Sequence, residues 1–222
     1  MKKNNENLIL LSMIFSTALV IANVVSGKVI QTNIPLFGST ITFPGAVFCY
    51  SITFLVTDIV GEIWGSIEAN RIVKYGFIAQ VLATILIVLT GLLPAADSTV
   101  NESYKTLLGQ NVIFVIGSLV AYVISQSWDV WVFHKIRNKI MKKEKNNKSR
   151  WIWNNLSTMS SQIIDTIIFI LIAFGIGYKW LFDSKMLGTL GAMIIGQYLV
   201  KLVLAILDTP FFYFFTRSNK LK

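Results

Sequence analysis

Six stretches of this chain are apolar enough and long enough to cross a lipid bilayer, over residues 8–27, 43–62, 71–93, 109–134, 155–178 and 187–215. A spanning helix needs about 20 mostly apolar residues to cross a hydrocarbon core of about 30 Å. Backbone amides in that core must be bonded within the protein, which restricts spanning elements to helices and closed barrels. The sequence therefore predicts an all-α polytopic membrane protein, a bundle of six transmembrane helices. Only 14% of the residues are charged and 54% are hydrophobic, too little polar surface for a soluble domain of this length. The longest inter-span segment, 135–154, is too short for a second domain, so residues 1–222 are expected to form a single integral membrane domain. The first stretch follows two lysines, as a secretory leader does. Its apolar part, Leu8 to Val25, exceeds the roughly 7–15 residues of a leader core and reads as the first span.

Basic residues predict the orientation, because short cytoplasmic loops are enriched in lysine and arginine. With the N-terminus inside, 15 of the 20 lysines and arginines fall on the cytoplasmic side. They are Lys2, Lys3, Arg71, Lys74, the run between Lys135 and Arg150, and Arg217, Lys220 and Lys222. Lys28, Lys105, Lys179 and Lys185 fall outside, and Lys201 lies within a span. Both termini are therefore expected in the cytoplasm. The net charge of +9 resides mostly in these loops. That is the pattern of an anchor facing anionic lipid, not of a nucleic-acid-binding face. Membrane lipid is an expected partner and nucleic acid is not. Cys49 is the sole cysteine, which excludes an intrachain disulfide or a cysteine-cluster metal site. No metal and no cofactor is expected.

Several polar residues sit where hydrocarbon should be. Asp58 and Glu62 fall in the second span, Asp129 in the fourth, Asp165 in the fifth, and Lys201 and Asp208 in the sixth. Each costs about 2.5–3.5 kcal/mol on insertion scales if left at the centre of the bilayer. Asn23, Gln80, Gln126, Gln162 and Gln197 add neutral polar groups. So many groups are expected to line an interior cavity. The pattern S-Q-x-x-D-x-x-x-F occurs twice, at Ser125–Phe133 and Ser161–Phe169. Residues three and four apart share a helix face. Each repeat thus forms one stripe, and consecutive antiparallel spans can turn the two stripes toward one volume. Inverted repeats are a transporter device, although no match between halves of the chain extends the pattern. The alternative is that Ser and Gln hold helices together by hydrogen bonds.

Asp165 and Lys201 fall near mid-membrane and can pair across the fifth and sixth spans, whereas Asp208 lies two turns from Lys201, about 10 Å along the helix. Five interior acids face one interior base. Some of the acids must be protonated, paired with Arg71 or Lys74, hydrated or neutralised by cargo. Asp58, Glu62, Asp165 and Asp208 are the candidates for proton coupling. Trp128 adjoins Asp129 and offers a stacking face to a planar cargo, against the default of interfacial anchoring. Pro210 is expected to kink the last span, and Gly188, Gly191 and Gly196 to permit close packing.

Enzyme signatures are missing. There is no H-E-x-x-H motif, no G-x-S-x-G elbow and no G-x-G-D motif, and His134 is the only histidine. A channel is disfavoured because the acids are scattered over four spans with no filter-like repeat. Transport of a small polar molecule is the expected function, and not catalysis.

Five blocks of the sequence resemble one family. They are A-N-V-V-S-G-K at 22–28, T-D-I-V-G-E at 57–62, S-Q-S-W-D-V-W-V-F at 125–133, S-T-M-S-S-Q-I-I-D-T-I-I-F at 157–169, and Lys201 followed by D-T-P-F-F-Y at 208–213. The ordered set resembles the queuosine precursor transporter family, also called the vitamin uptake transporter family. The resemblance implies a six-helix importer of the inner membrane that takes 7-deazaguanines. These are 7-cyano-7-deazaguanine and, in some members, related precursors or queuine. It also implies a homodimer as one assembly. A guanine-like ring offers adjacent N–H donors to a carboxylate, and its carbonyl needs a donor. On that chemistry Asp58, Glu62, Asp129 and Asp165 are expected to bind donors or couple transport. Gln126, Gln162 and Asn23 would orient the ring, and Lys201 would balance charge or bind the carbonyl. Ala18-x-x-x-Ala22 in the first span is also similar to the helix contact of substrate-binding subunits of energy-coupling-factor transporters, which need an ATPase module.

Overall fold

The computed structural model describes residues 1–36, 38–143 and 150–216. The side chains of Gln126, Asp129, Val130, Phe133, His134, Thr209 and those of residues 137–143 and 150–158 are outside the described set. The readings made for Gln126, Asp129 and His134, and for most of the basic run, therefore fall outside the described side chains.

Seven α-helices and one hairpin are present among the described residues: α1 (Asn5–Val25), β1 (Val29–Leu36), β2 (Ser39–Pro44), α2 (Ala46–Trp64), α3 (Ser66–Leu92), α4 (Ser98–Leu108), α5 (Asn111–Lys143), α6 (Arg150–Ile170) and α7 (Leu187–Thr216). Six helices are long and apolar enough to cross a membrane, and the all-α membrane bundle stands. The boundaries move for physical reasons. Asn4 caps α1 by accepting from the Asn7 amide at 2.8 Å, so the helix begins before the apolar stretch. Only Gly65, at φ +99°, separates α2 from α3. Glycine adopts that angle without a Cβ penalty, so α3 starts five residues before the predicted 71 and carries Arg71 on its first turns. The Arg71 guanidinium is taken by Glu68 at 2.7 Å and not by an interior acid.

Two elements lie beyond the six-span reading. The predicted loop before the fourth span contains α4, capped by Asp97, whose carboxylate accepts from the Thr99 amide at 2.7 Å. Between α1 and α2 stands the antiparallel hairpin, with Val29 opposite Pro44 and Ile30 opposite Phe43. Its sequence, VIQTNIPL and STITFP, is rich in β-branched residues, which suit a pleated surface. Thr42, Phe43 and Pro44 are buried, and the hairpin beds against α7. After α6 the chain makes a π-helical turn at Leu171–Ile176, then a short 3₁₀ turn at Trp180–Phe182. Pro210 lies inside α7, which continues past it to Thr216.

The buried core falls into two clusters. Leu11, Phe15, Val60 and Ile72 join α1, α2 and α3. Phe114, Phe169, Phe174 and Met193 join α5, α6, the π turn and α7. Between α3 and α5 there is also a polar contact. The Thr84 hydroxyl accepts from Gln80 Nε2 at 3.3 Å, and its one proton lies within reach of two acceptors, the Gln80 main-chain carbonyl at 3.0 Å and Asn111 Oδ1 at 3.1 Å. Gln80 and Asn111 are buried. Replacing Thr84 with valine keeps the shape and removes these bonds. It is expected to cost about 1–3 kcal/mol, read as a lower Tm of the detergent-solubilised protein. An unchanged Tm would show that the contact is energetically idle.

Candidate functional site

A cavity of about 280 Å³ sits where all six long helices meet. Phe15 and Leu19 come from α1, Tyr50, Thr53, Phe54 and Thr57 from α2, and Asn70, Val73 and Phe77 from α3. Ser118 and Tyr122 come from α5, Asp165 and Phe169 from α6, and Gln197 and Lys201 from α7. Helical spacing builds these walls. Tyr50, Thr53, Phe54 and Thr57 recur at three and four residues along α2, as Gln197 and Lys201 do along α7. The volume is close to the lower bound for small-molecule sites, about 300–1,000 Å³.

Its ionic centre is a pair formed across α6 and α7. Lys201 Nζ donates to Asp165 Oδ2 at 2.7 Å, to Gln162 Oε1 at 3.2 Å and to Thr166 Oγ1 at 3.2 Å. The three acceptors stand on one turn of α6, and an ammonium has three N–H donors. Lys201 is therefore fully coordinated. Its side chain is 8% exposed and that of Asp165 is 25% exposed. A lone charge at this depth would be expensive, whereas a hydrogen-bonded pair offsets most of that cost. The pairing expected from the sequence is present.

Two further hollows lie between α2 and α7. One, of about 530 Å³, shares Phe54 and Lys201 with the central cavity and is lined also by Asp58, Gln162 and Asp208. The other, of about 420 Å³, is lined by Thr57, Asp58, Glu62 and Asp208. The predicted polar residues thus divide. Asp165 and Lys201 line the cavity, and Gln162 fixes Lys201 from the adjoining hollow. Asp58, Glu62 and Asp208 gather farther along α2 and α7. Asn23 is buried on α1, with its Nδ2 donating to the Leu19 carbonyl at 3.2 Å. Trp128 is not among the cavity-lining residues. It packs on Trp131, and its Nε1 donates to Ser160 Oγ at 3.2 Å. Of the two S-Q-x-x-D stripes, the one on α6 brings Asp165 and Phe169 to the cavity.

Sequence reasoning missed Tyr50, Asn70, Ser118 and Tyr122 as cavity residues, and it named Gln197 only as a neutral polar group. A signal existed for Gln197, which lies four residues before Lys201 on the same face. Tyrosines and serines in apolar helices carry no comparable signal, because a serine there can satisfy itself on its own helix and a tyrosine ring packs as an apolar residue does. Ser118, for instance, donates to the Val115 carbonyl at 3.0 Å.

A cavity enclosed by six spanning helices, with a neutralised ion pair at its centre, defines a multi-pass membrane protein built around a small-molecule-sized interior. Residues 44–215 match the family described as "Putative vitamin uptake transporter". The chain is 31% identical over 198 residues to the "Probable queuosine precursor transporter" of Bacillus subtilis (strain 168), an overlap covering 86% of this chain and 79% of that protein. No solved structure matches. The chain belongs to the vitamin uptake transporter family, the queuosine precursor transporter family that its sequence blocks resemble.

Proposed function

We propose that the protein, on its own, imports an uncharged 7-deazaguanine base, 7-cyano-7-deazaguanine, across the cytoplasmic membrane through the central cavity. The observation that carries this reading is the Asp165–Lys201 pair at the junction of the six helices. Among the described lining residues it supplies one acid and one base, so the cavity has no net charge. A neutral base enters such a site without disturbing the pair. The cationic aminomethyl precursor finds no surplus negative charge there. Phe54, Phe77, Tyr122 and Phe169 offer faces against which a flat ring can stack. The substrate class is drawn from the name of the B. subtilis relative.

Asp58, Glu62 and Asp208 are the groups suited to proton coupling. They lie on the hollows that open toward the ends of α2 and α7, the cytoplasmic side in the orientation predicted by the basic residues. The energy-coupling-factor reading is less favoured. Ala18 and Ala22 are buried inside the bundle, so their close contact is used within the chain rather than offered to an ATPase module.

Uptake by the purified chain in liposomes tests the proposal. Saturable uptake of labelled 7-cyano-7-deazaguanine is expected without any ATPase module, with the aminomethyl form and guanine competing at least about tenfold less well. Equal competition by guanine, or uptake only with an added ATPase complex, would refute it. Collapsing an imposed inward proton gradient is expected to slow uptake. An unchanged rate would remove the coupling role of the three acids.

A further inference from the structure

We infer that Gln197 is a specificity-determining residue of the central cavity, its side-chain carbonyl accepting from an exocyclic amino group of the base while the Tyr50 hydroxyl donates to the ring carbonyl. The inference rests on the proposed transport of a 7-deazaguanine. Gln197 is 3% exposed and lines the cavity. Its Oε1 has no hydrogen-bond partner among the described residues. A buried carbonyl left in that state is costly. Lys201, one turn along the same face, is the nearest cation in sequence, but its three donors are taken by Gln162, Asp165 and Thr166. An occupant of the cavity can supply the missing donor.

Tyr50 points to the same conclusion. Its hydroxyl is buried at the cavity, close to Asn23 and Ser118, and has no well-aligned hydrogen-bond partner among the described residues. Two buried groups that line the cavity lack a partner among the described residues, the Gln197 carbonyl, which accepts, and the Tyr50 hydroxyl, which can donate. Their complement is a ligand edge that carries a donor beside an acceptor. A ring N–H beside an exocyclic amine, flanked by a carbonyl, is such an edge. A base lacking the amine leaves the Gln197 carbonyl unsatisfied, and sites built around a buried polar group reject analogues that fail to pair with it.

The test is equilibrium binding to the full chain in nanodiscs. The probes are 7-cyano-7-deazaguanine and its counterpart with hydrogen in place of the exocyclic amine. The unsubstituted protein is expected to prefer the amine-bearing probe by about tenfold or more. Gln197→Leu is expected to shrink that preference to about twofold, by losing affinity for the amine-bearing probe alone. Gln197→Glu keeps acceptor oxygens and is expected to retain the preference. Tyr50→Phe is expected to weaken both probes equally, since both carry the ring carbonyl. Should Gln197→Leu fail to reach the membrane, Gln197→Met serves for it. A folded Gln197→Leu protein with full preference would overturn the inference and leave the transport reading standing. Loss of preference in Gln197→Glu, or equal binding of both probes by the unsubstituted protein, would also overturn it. Binding of neither probe would sink both readings together.

Discussion

Lys201→Met is expected to abolish uptake and to destabilise the protein by about 2–4 kcal/mol. The methionine fills similar space but leaves the carboxylate of Asp165 without its cation, and Gln162 and Thr166 without a shared donor. Removing one partner of a buried pair costs more than removing both, because the survivor keeps its desolvation penalty. The estimate sits below the full range for buried pairs because Asp165 is a quarter exposed. The double variant Asp165→Asn, Lys201→Met separates the two roles. It is expected to recover most of the lost Tm, since no unpaired charge remains, while uptake stays absent. A double variant as unstable as the single one would show that the pair acts through shape rather than charge. Recovered uptake would show that the pair does not contact the cargo.

The second large effect is at Gly196. A Cβ built there would stand 2.4 Å from the carbonyl oxygen of Thr42 and 2.9 Å from Ile41 Cγ2. The first obstacle is backbone belonging to β2, so it cannot swing aside. Gly196→Ala is expected to cost about 1–3 kcal/mol, and Gly196→Val to separate the hairpin from α7 and abolish uptake by displacing Gln197 and Lys201. Gly76 is the matched control. A Cβ there meets the ring of Phe15 at 2.3 Å, an obstacle that is buried side chain rather than backbone, so relief comes from repacking the ring and not from moving a strand. Gly76→Ala is expected to be the milder change in Tm. If the two glycine variants unfold at the same temperature, the hairpin contact is not rigid.

The six spans were legible because hydrocarbon thickness fixes both their length and their composition. The pairing of Asp165 with Lys201 was legible because a membrane permits few other fates for those groups. The hairpin was not, since Gln31, Thr32 and Asn33 mark the stretch between the first two spans as a connection, and β-branched residues alone do not tell a paired hairpin from an open loop. Only the π turn explains why the fifth span ends as it does: Gly177 donates to the Ile172 carbonyl, five residues back, at 3.0 Å. No apolar periodicity encodes that extra residue. In the site, the charged residues announced themselves. Tyr50 did not, and Gln197 did so only through its register with Lys201, because a neutral polar group in a spanning helix serves helix packing and ligand binding equally well, and only the cavity tells the two apart.

The hairpin clamps the first half of α7 by backbone contact at Gly196, and Ser39 reaches Thr189 with their hydroxyl oxygens 3.4 Å apart. The far end of that helix rests on apolar side chains, Phe212 and Phe215 packing against the cluster of α1, α2 and α3. Between those two holds Lys201 moors the helix to α6 through Gln162, Asp165 and Thr166. The last span is thus secured at three stations by three kinds of bond, main chain, charge and apolar surface, and detergent, salt and a side-chain swap should each loosen a different one.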